Sequence, residues 1–158
     1  MTMLSALEQS AFIQWTMSDL YCVQLLLSAH SVGMAIVVGV ILVLSIRVLG
    51  FPRDMPVTIF RRALILAWWG FALNAASGLW LFATNGQQLL VLWTFQIKMA
   101  LIVAGGISVW LLWRMAKRHP QKGYAFGGRE KLVASLSMLF WLGAITAGRY
   151  IAYTLPPR

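Results

Sequence analysis

Four apolar stretches, residues 21–46, 63–83, 89–113 and 132–153, dominate this 158-residue chain, and each is long enough to cross about 30 Å of hydrocarbon as a helix. Their length leaves few folds open. Lipid offers no hydrogen-bond partners, so a spanning backbone must satisfy itself as a helix or a closed barrel. The short alternating runs of a membrane barrel are missing. With 60% apolar and 11% charged residues, the chain lies far from ordinary soluble composition. The expectation is one all-α domain, an antiparallel bundle of four transmembrane helices over 21–158, preceded by an interfacial segment over 1–20. In that segment Met3, Leu4, Leu7, Phe12, Ile13 and Trp15 alternate with Ser5, Glu8, Gln9 and Gln14, which suits a short amphipathic helix. It holds Glu8 and Asp19 but no Lys or Arg, unlike the basic start of a cleavable signal.

The links arrange the spans. Pro52 and Pro56 break the first connection, and Pro120 with Gly123, Gly127 and Gly128 loosens the third. The second is only 84–88 and holds Asn85-Gly86, a turn signal. Short links set sequence neighbours antiparallel and give an up-down-up-down bundle. Charge orients it. Arg47, Arg53, Arg61 and Arg62 follow the first span, and Arg114, Lys117, Arg118, Lys122, Arg129 and Lys131 follow the third, so four and six of the thirteen basic residues share one side. The positive-inside rule assigns that side to the cytoplasm, leaving both termini outside, in the periplasm of a bacterial inner membrane. Split between two short loops, these cations argue against nucleic acid and for the lipid bilayer as the main partner. The lone cysteine, Cys22, excludes an intrachain disulfide and a cysteine-based metal cluster.

Lys98 lies inside an otherwise apolar span, where a cation is costly and marks a functional site. Helix rise places His30 and Asn74 roughly 14 Å, Lys98 roughly 12 Å and Arg149 roughly 8 Å below the outer surface. Three spans therefore supply polar groups at one level, and the fourth adds Arg149 nearer the outer surface. Arg149 shares its face with Thr146, Tyr150 and Tyr153. Gly33, one turn from His30, removes a side chain from the same face and would leave room for something flat and wide. Small residues recur four apart on every span, for instance Ser31, Ala35 and Gly39, or Gly70, Asn74 and Gly78, which lets helix backbones approach closely.

Each polar residue also has a purely structural explanation. His30 and Asn74 serve as well for hydrogen bonds between helices, and Arg149 can snorkel to headgroups. Lys98 is too deep to snorkel, so it needs a partner, either Glu8 or Asp19 folding over the pocket or an anionic ligand. Haem b satisfies the set economically: His30 is the metal ligand, Gly33 clears space, and Lys98 with Arg149 pairs with the propionates. His119 lies about 30 Å away by helix rise and cannot supply a sixth ligand, and Met34, Met99 and Met138 are only formal candidates. Two other readings stand beside it. A quinone or small anion could bind without metal, or a non-catalytic subunit could dock a homo-oligomeric or redox partner through Lys98.

The run AHSVGMAIVVGVILVLSIRVLG from Ala29, with SGLWLFAT from Ser77, FQIKMALIVAGGISVW from Phe95 and FWLGAITAGRYIAY from Phe140, resembles a family of bacterial four-helix inner-membrane proteins with a domain of unknown function. The resemblance covers essentially the whole chain and is carried by His30, Gly33, Lys98, Gly148 and Arg149. More distantly the chain is similar to copper-resistance D proteins, membrane b-type cytochromes and the four-helix protoporphyrinogen oxidase. That similarity implies haem b or a porphyrin and quinone-linked electron transfer. The chain departs from those groups in carrying Trp110 in the region where oxidase-like proteins tend to have a further histidine.

Overall fold

The computed structural model describes residues 8–56, 59–119 and 123–154. Five helices account for most of them: α1 (Ala11–Ser18), α2 (Leu20–Leu49), α3 (Phe60–Val91), α4 (Trp93–Ala116) and α5 (Gly128–Thr154). The last four are all long and apolar enough to span a bilayer. The chain is a multi-pass membrane protein whose fold is an all-α bundle of four transmembrane helices.

Local chemistry sets the helix ends. Ser10 caps α1, its Oγ accepting from the Ile13 amide at 3.4 Å, and Asp19 both ends α1 and caps α2 through the Tyr21 amide at 2.9 Å. Residues 1–7 of the expected amphipathic segment, with Met3, Leu4 and Leu7, lie outside the described residues. Within α1, Ile13 and Thr16 are buried while Phe12 and Trp15 stay exposed, and Phe12 meets Trp80 of α3 edge to face at 5.0 Å. α2 closes with Gly50 at φ +119°, and the Gly50 and Phe51 amides return to Arg47 and Ile46 carbonyls in a Schellman arrangement.

The link expected at 84–88 takes a different form. Asn85 (φ −141°, ψ 23°) interrupts the helix there, yet α3 resumes to Val91 and the chain turns at Leu92, which is extended at ψ 114°. α2 packs along α3, α5 along α4, and α2 along α5, whereas α3 and α4 share little surface despite being linked by one residue. The bundle therefore consists of two tight hairpin pairs joined through α2 and α5.

The densest apolar cluster occupies one end of the bundle. At the end bearing the basic loops, Leu44, Val48, Phe60, Leu112, Ala116, Phe126 and Ala134 form a dense buried cluster. Val37, Val38, Ile41 and Trp141 continue it. Towards the α1 end the buried positions include Ser77, Thr84 and Thr94. Trp68, Trp69, Leu79, Val103, Ile107 and Leu139 face outward, as contact with acyl chains requires.

Candidate functional site

The site begins where α2 and α3 touch backbone to backbone. A Cβ on Gly33 would stand 2.7 Å from the Asn74 nitrogen and 2.7 Å from the Gly70 carbonyl oxygen, and one on Gly70 would meet the Ile36 side chain at 2.7 Å. The two glycines are therefore what lets the helices close. Gly33 clears room for the neighbouring helix, not for a bound molecule, because its missing side chain is already replaced by α3 backbone.

One turn from this contact, His30 is held from two directions. The Asn74 Nδ2 donates to the His30 carbonyl at 2.7 Å, and His30 Nδ1 lies 3.0 Å from the Asn74 carbonyl and 3.2 Å from Ser77 Oγ. Gly78 leaves space for the ring, since a Cβ there would come within 3.0 Å of His30 Cε1. A carbonyl only accepts, so Nδ1 carries the proton, and in the neutral ring Nε2 keeps its lone pair. No partner engages Nε2 among the described residues. A backbone carbonyl on one imidazole nitrogen is the arrangement that orients the other towards a metal or a proton.

The ring borders an open groove of about 350 Å³ between α2 and α5, at the α1 end of the bundle. Ser31, Met34 and Ala35 follow His30 along one wall, Ala144, Gly148 and Arg149 form the other, and Lys98 enters from α4. Gly148 makes room for that lysine, whose Nζ lies 3.4 Å from where a Cβ would be. The Arg149 guanidinium carbon sits 5.4 Å over the Tyr153 ring, which steadies it beside the groove. Small residues on α2 and α5 thus supply the width that sequence reading assigned to Gly33.

Among the six predicted site residues, His30, Lys98 and Arg149 come together on the groove. Asn74 stands behind His30 as its clamp, and Gly33 sits in the helix contact. Tyr150 is 52% exposed and leans on Trp93 at 6.4 Å, away from the groove walls. Sequence reading missed Ser77 as a partner of His30. Its position three residues after Asn74, on the same helix face, was the available signal.

Neither outer acid covers the groove. Glu8 Oε1 accepts from the Gln87 amide at 3.0 Å just past the α3 break, and Asp19 is occupied at the start of α2 by Tyr21 and Cys22. The expectation that one of them folds over the pocket is corrected, because each is held by backbone amides at a helix break or a helix start. Among the described residues no carboxylate pairs with Lys98.

No protein-family model, curated protein or solved structure matches this chain. Function has to be argued from the groove. Its donor set is a single imidazole, since no group of three or more His, Cys, Asp or Glu gathers among the described residues. Of the three methionines considered as a further ligand, only Met34 lines the groove, one turn from His30 on the same helix. His119 stacks on Tyr124 at 4.0 Å in the loop between α4 and α5, at the far end of the bundle.

Proposed function

We propose that the groove binds a flat, largely apolar cofactor bearing anionic groups, with haem b the best candidate, and that the protein takes part in electron transfer in a bacterial inner membrane. One observation carries this reading: an imidazole whose Nδ1 is committed to a backbone carbonyl lines a groove that also holds two cations and no carboxylate. The residues fit the group in three respects. His30 has Nδ1 against a backbone carbonyl, as metal-ligating histidines do, Lys98 and Arg149 are placed to pair with carboxylates, and Ala35, Ala144 and Gly148 widen walls otherwise formed by Leu27, Met34 and Ile145. Haem bound there would supply one-electron redox chemistry. The chain itself orients one axial ligand, neutralises the propionates and keeps the ring in a medium of low polarity, which tunes potential. With the basic loops in the cytoplasm, the groove opens in the periplasmic half.

A quinone is the second reading, favoured by the single-histidine donor set. His30 Nε2 and Lys98 Nζ would then hydrogen-bond the quinone oxygens, with no metal. A reduced-minus-oxidised visible spectrum of detergent-purified protein, with a pyridine haemochrome assay, separates the two. A stoichiometric b-type signal that disappears in His30→Ala, while the helical circular dichroism stays unchanged, is the expected result. A colourless preparation that binds quinone analogues saturably moves the assignment to quinone. Equal absorbance in His30→Ala and wild type removes His30 from the site.

A further inference from the structure

A second buried cation lies at the opposite end of the bundle and is not used by the groove. Arg47, in the last turn of α2, has no exposed surface. Its Nε donates to the Met55 carbonyl at 2.6 Å, and its guanidinium carbon lies 5.6 Å from the centre of the Phe126 ring. Both terminal nitrogens, Nη1 and Nη2, are buried without a hydrogen-bond partner among the described residues. An unpaired guanidinium inside a protein is among the most unfavourable groups to bury, and unlike a lysine it cannot escape by losing its proton.

The acids at this end leave it unpaired. Asp54 is exposed, and Glu130 turns its Oε2 to within 3.0 Å of the Gly127 Cβ position, at the start of its own helix. Met55 and Phe126, which touch Arg47, belong to the two basic loops, and among the described residues a hydrogen bond from the Gly123 amide to the Arg53 carbonyl at 3.1 Å joins those loops. The side chain is thus fixed at Nε, faces an aromatic ring, and keeps a two-pronged donor edge that matches a phosphate or similar oxyanion.

We infer that Arg47 anchors a binding site for a phosphate-type oxyanion, closed over by the loops at 51–56 and 123–127. The anion supplies the negative charge that the chain does not, and its oxygens take Nη1 and Nη2 together. Because Arg47 is sealed, with no open surface at either terminal nitrogen, entry requires the loop pair to part, and the loops close again around the bound anion with their side chains displaced to admit it. The same chemistry is offered by free phosphate from the cytoplasmic side and by the headgroup phosphate of an anionic lipid.

The test uses full-length protein in detergent micelles, titrated with inorganic phosphate against chloride at matched ionic strength. Phosphate is expected to raise the thermal midpoint and to slow amide exchange at 51–56 and 123–127. Arg47→Lys, which keeps the charge but loses the fork, should need about tenfold more phosphate for the same protection. Arg47→Met should lose the response. In nanodiscs, the same Arg47-dependent protection produced by phosphatidylglycerol over phosphatidylcholine, without effect of free phosphate, identifies the lipid as the source. If wild type responds to neither, or if Arg47→Lys and wild type respond alike, the site is refuted. The exchange measurement on wild type decides the matter even if Arg47→Met does not fold.

Discussion

The two ends of the bundle solve the problem of a buried cation in different ways. At the basic end, Arg47 is enclosed by large side chains and two stitched loops, and Leu44, Val48 and Leu112 around the same level have no exposed surface. At the α1 end, Lys98 and Arg149 border a groove whose walls mix Ser31, Ala35, Ala144 and Gly148 with Leu27, Met34 and Ile145, and the imidazole beside them is held by a neighbouring helix backbone. Dense packing fixes one cation in place, and missing side chains leave room beside the others. The difference teaches that small residues on these helices have two uses: Gly33 and Gly70 are filled by the neighbouring helix, whereas Ala35, Ala144 and Gly148 border open space.

Substitutions can separate those uses. The largest effect is expected from Gly33→Val, whose side chain must enter space held by α3 backbone. It should lose about 4 kcal/mol of stability in mixed-micelle unfolding and unseat His30, so cofactor binding falls with it. A loss below about 1 kcal/mol would mean that the α2–α3 contact yields easily and does not position the imidazole. Next comes Leu112→Ala in the dense cluster, expected to cost about 3 kcal/mol through the cavity it leaves, with cofactor affinity at the groove unchanged. If affinity falls in step with stability, the two ends are coupled and the contrast drawn between them is wrong.

Lys98→Met works in the opposite direction. Removing a membrane-buried charge with no carboxylate partner should stabilise the cofactor-free protein by about 1 kcal/mol while weakening cofactor binding about tenfold. Unchanged binding in a spectroscopic titration would take Lys98 out of the site. The smallest effect is reserved for Ser77→Ala. A single hydrogen bond between membrane helices contributes about 0.6 kcal/mol, and Asn74 still accepts from His30 Nδ1, so a slight loss of stability with retained binding is expected. Complete loss of binding would show that Ser77 is the principal partner of the imidazole.

Much of this was legible in the sequence because it depends on local quantities. Lys98 stood out as a charge in an apolar span, and counting residues along helices put His30 and Asn74 at a similar depth with Arg149 in the same half nearer the surface. Gly33 was placed on the face of His30, yet its open side is filled by α3, since a helix with small residues around much of its circumference does not announce which neighbour it meets, while Asn74 makes the hydrogen bond between helices that was one of its two readings. Glu8 and Asp19 were misplaced for a related reason: Asn85-Gly86 signalled a turn but not that the helix resumes past it to Val91, and the Gln87 amide just beyond the break captures Glu8.

By itself the sequence determined that four helices cross the membrane, how many charges each carries and roughly how deep they lie, because length, apolarity and helix rise are properties of a single segment. Tertiary structure decided which faces meet. It made Gly33 a contact and Gly148 a space, tied His30 Nδ1 to a carbonyl so that Nε2 is free, and sealed Arg47 beneath two loops. These outcomes depend on the rotation of one helix against another, which close approach of backbones and the shapes of side chains on both partners set together.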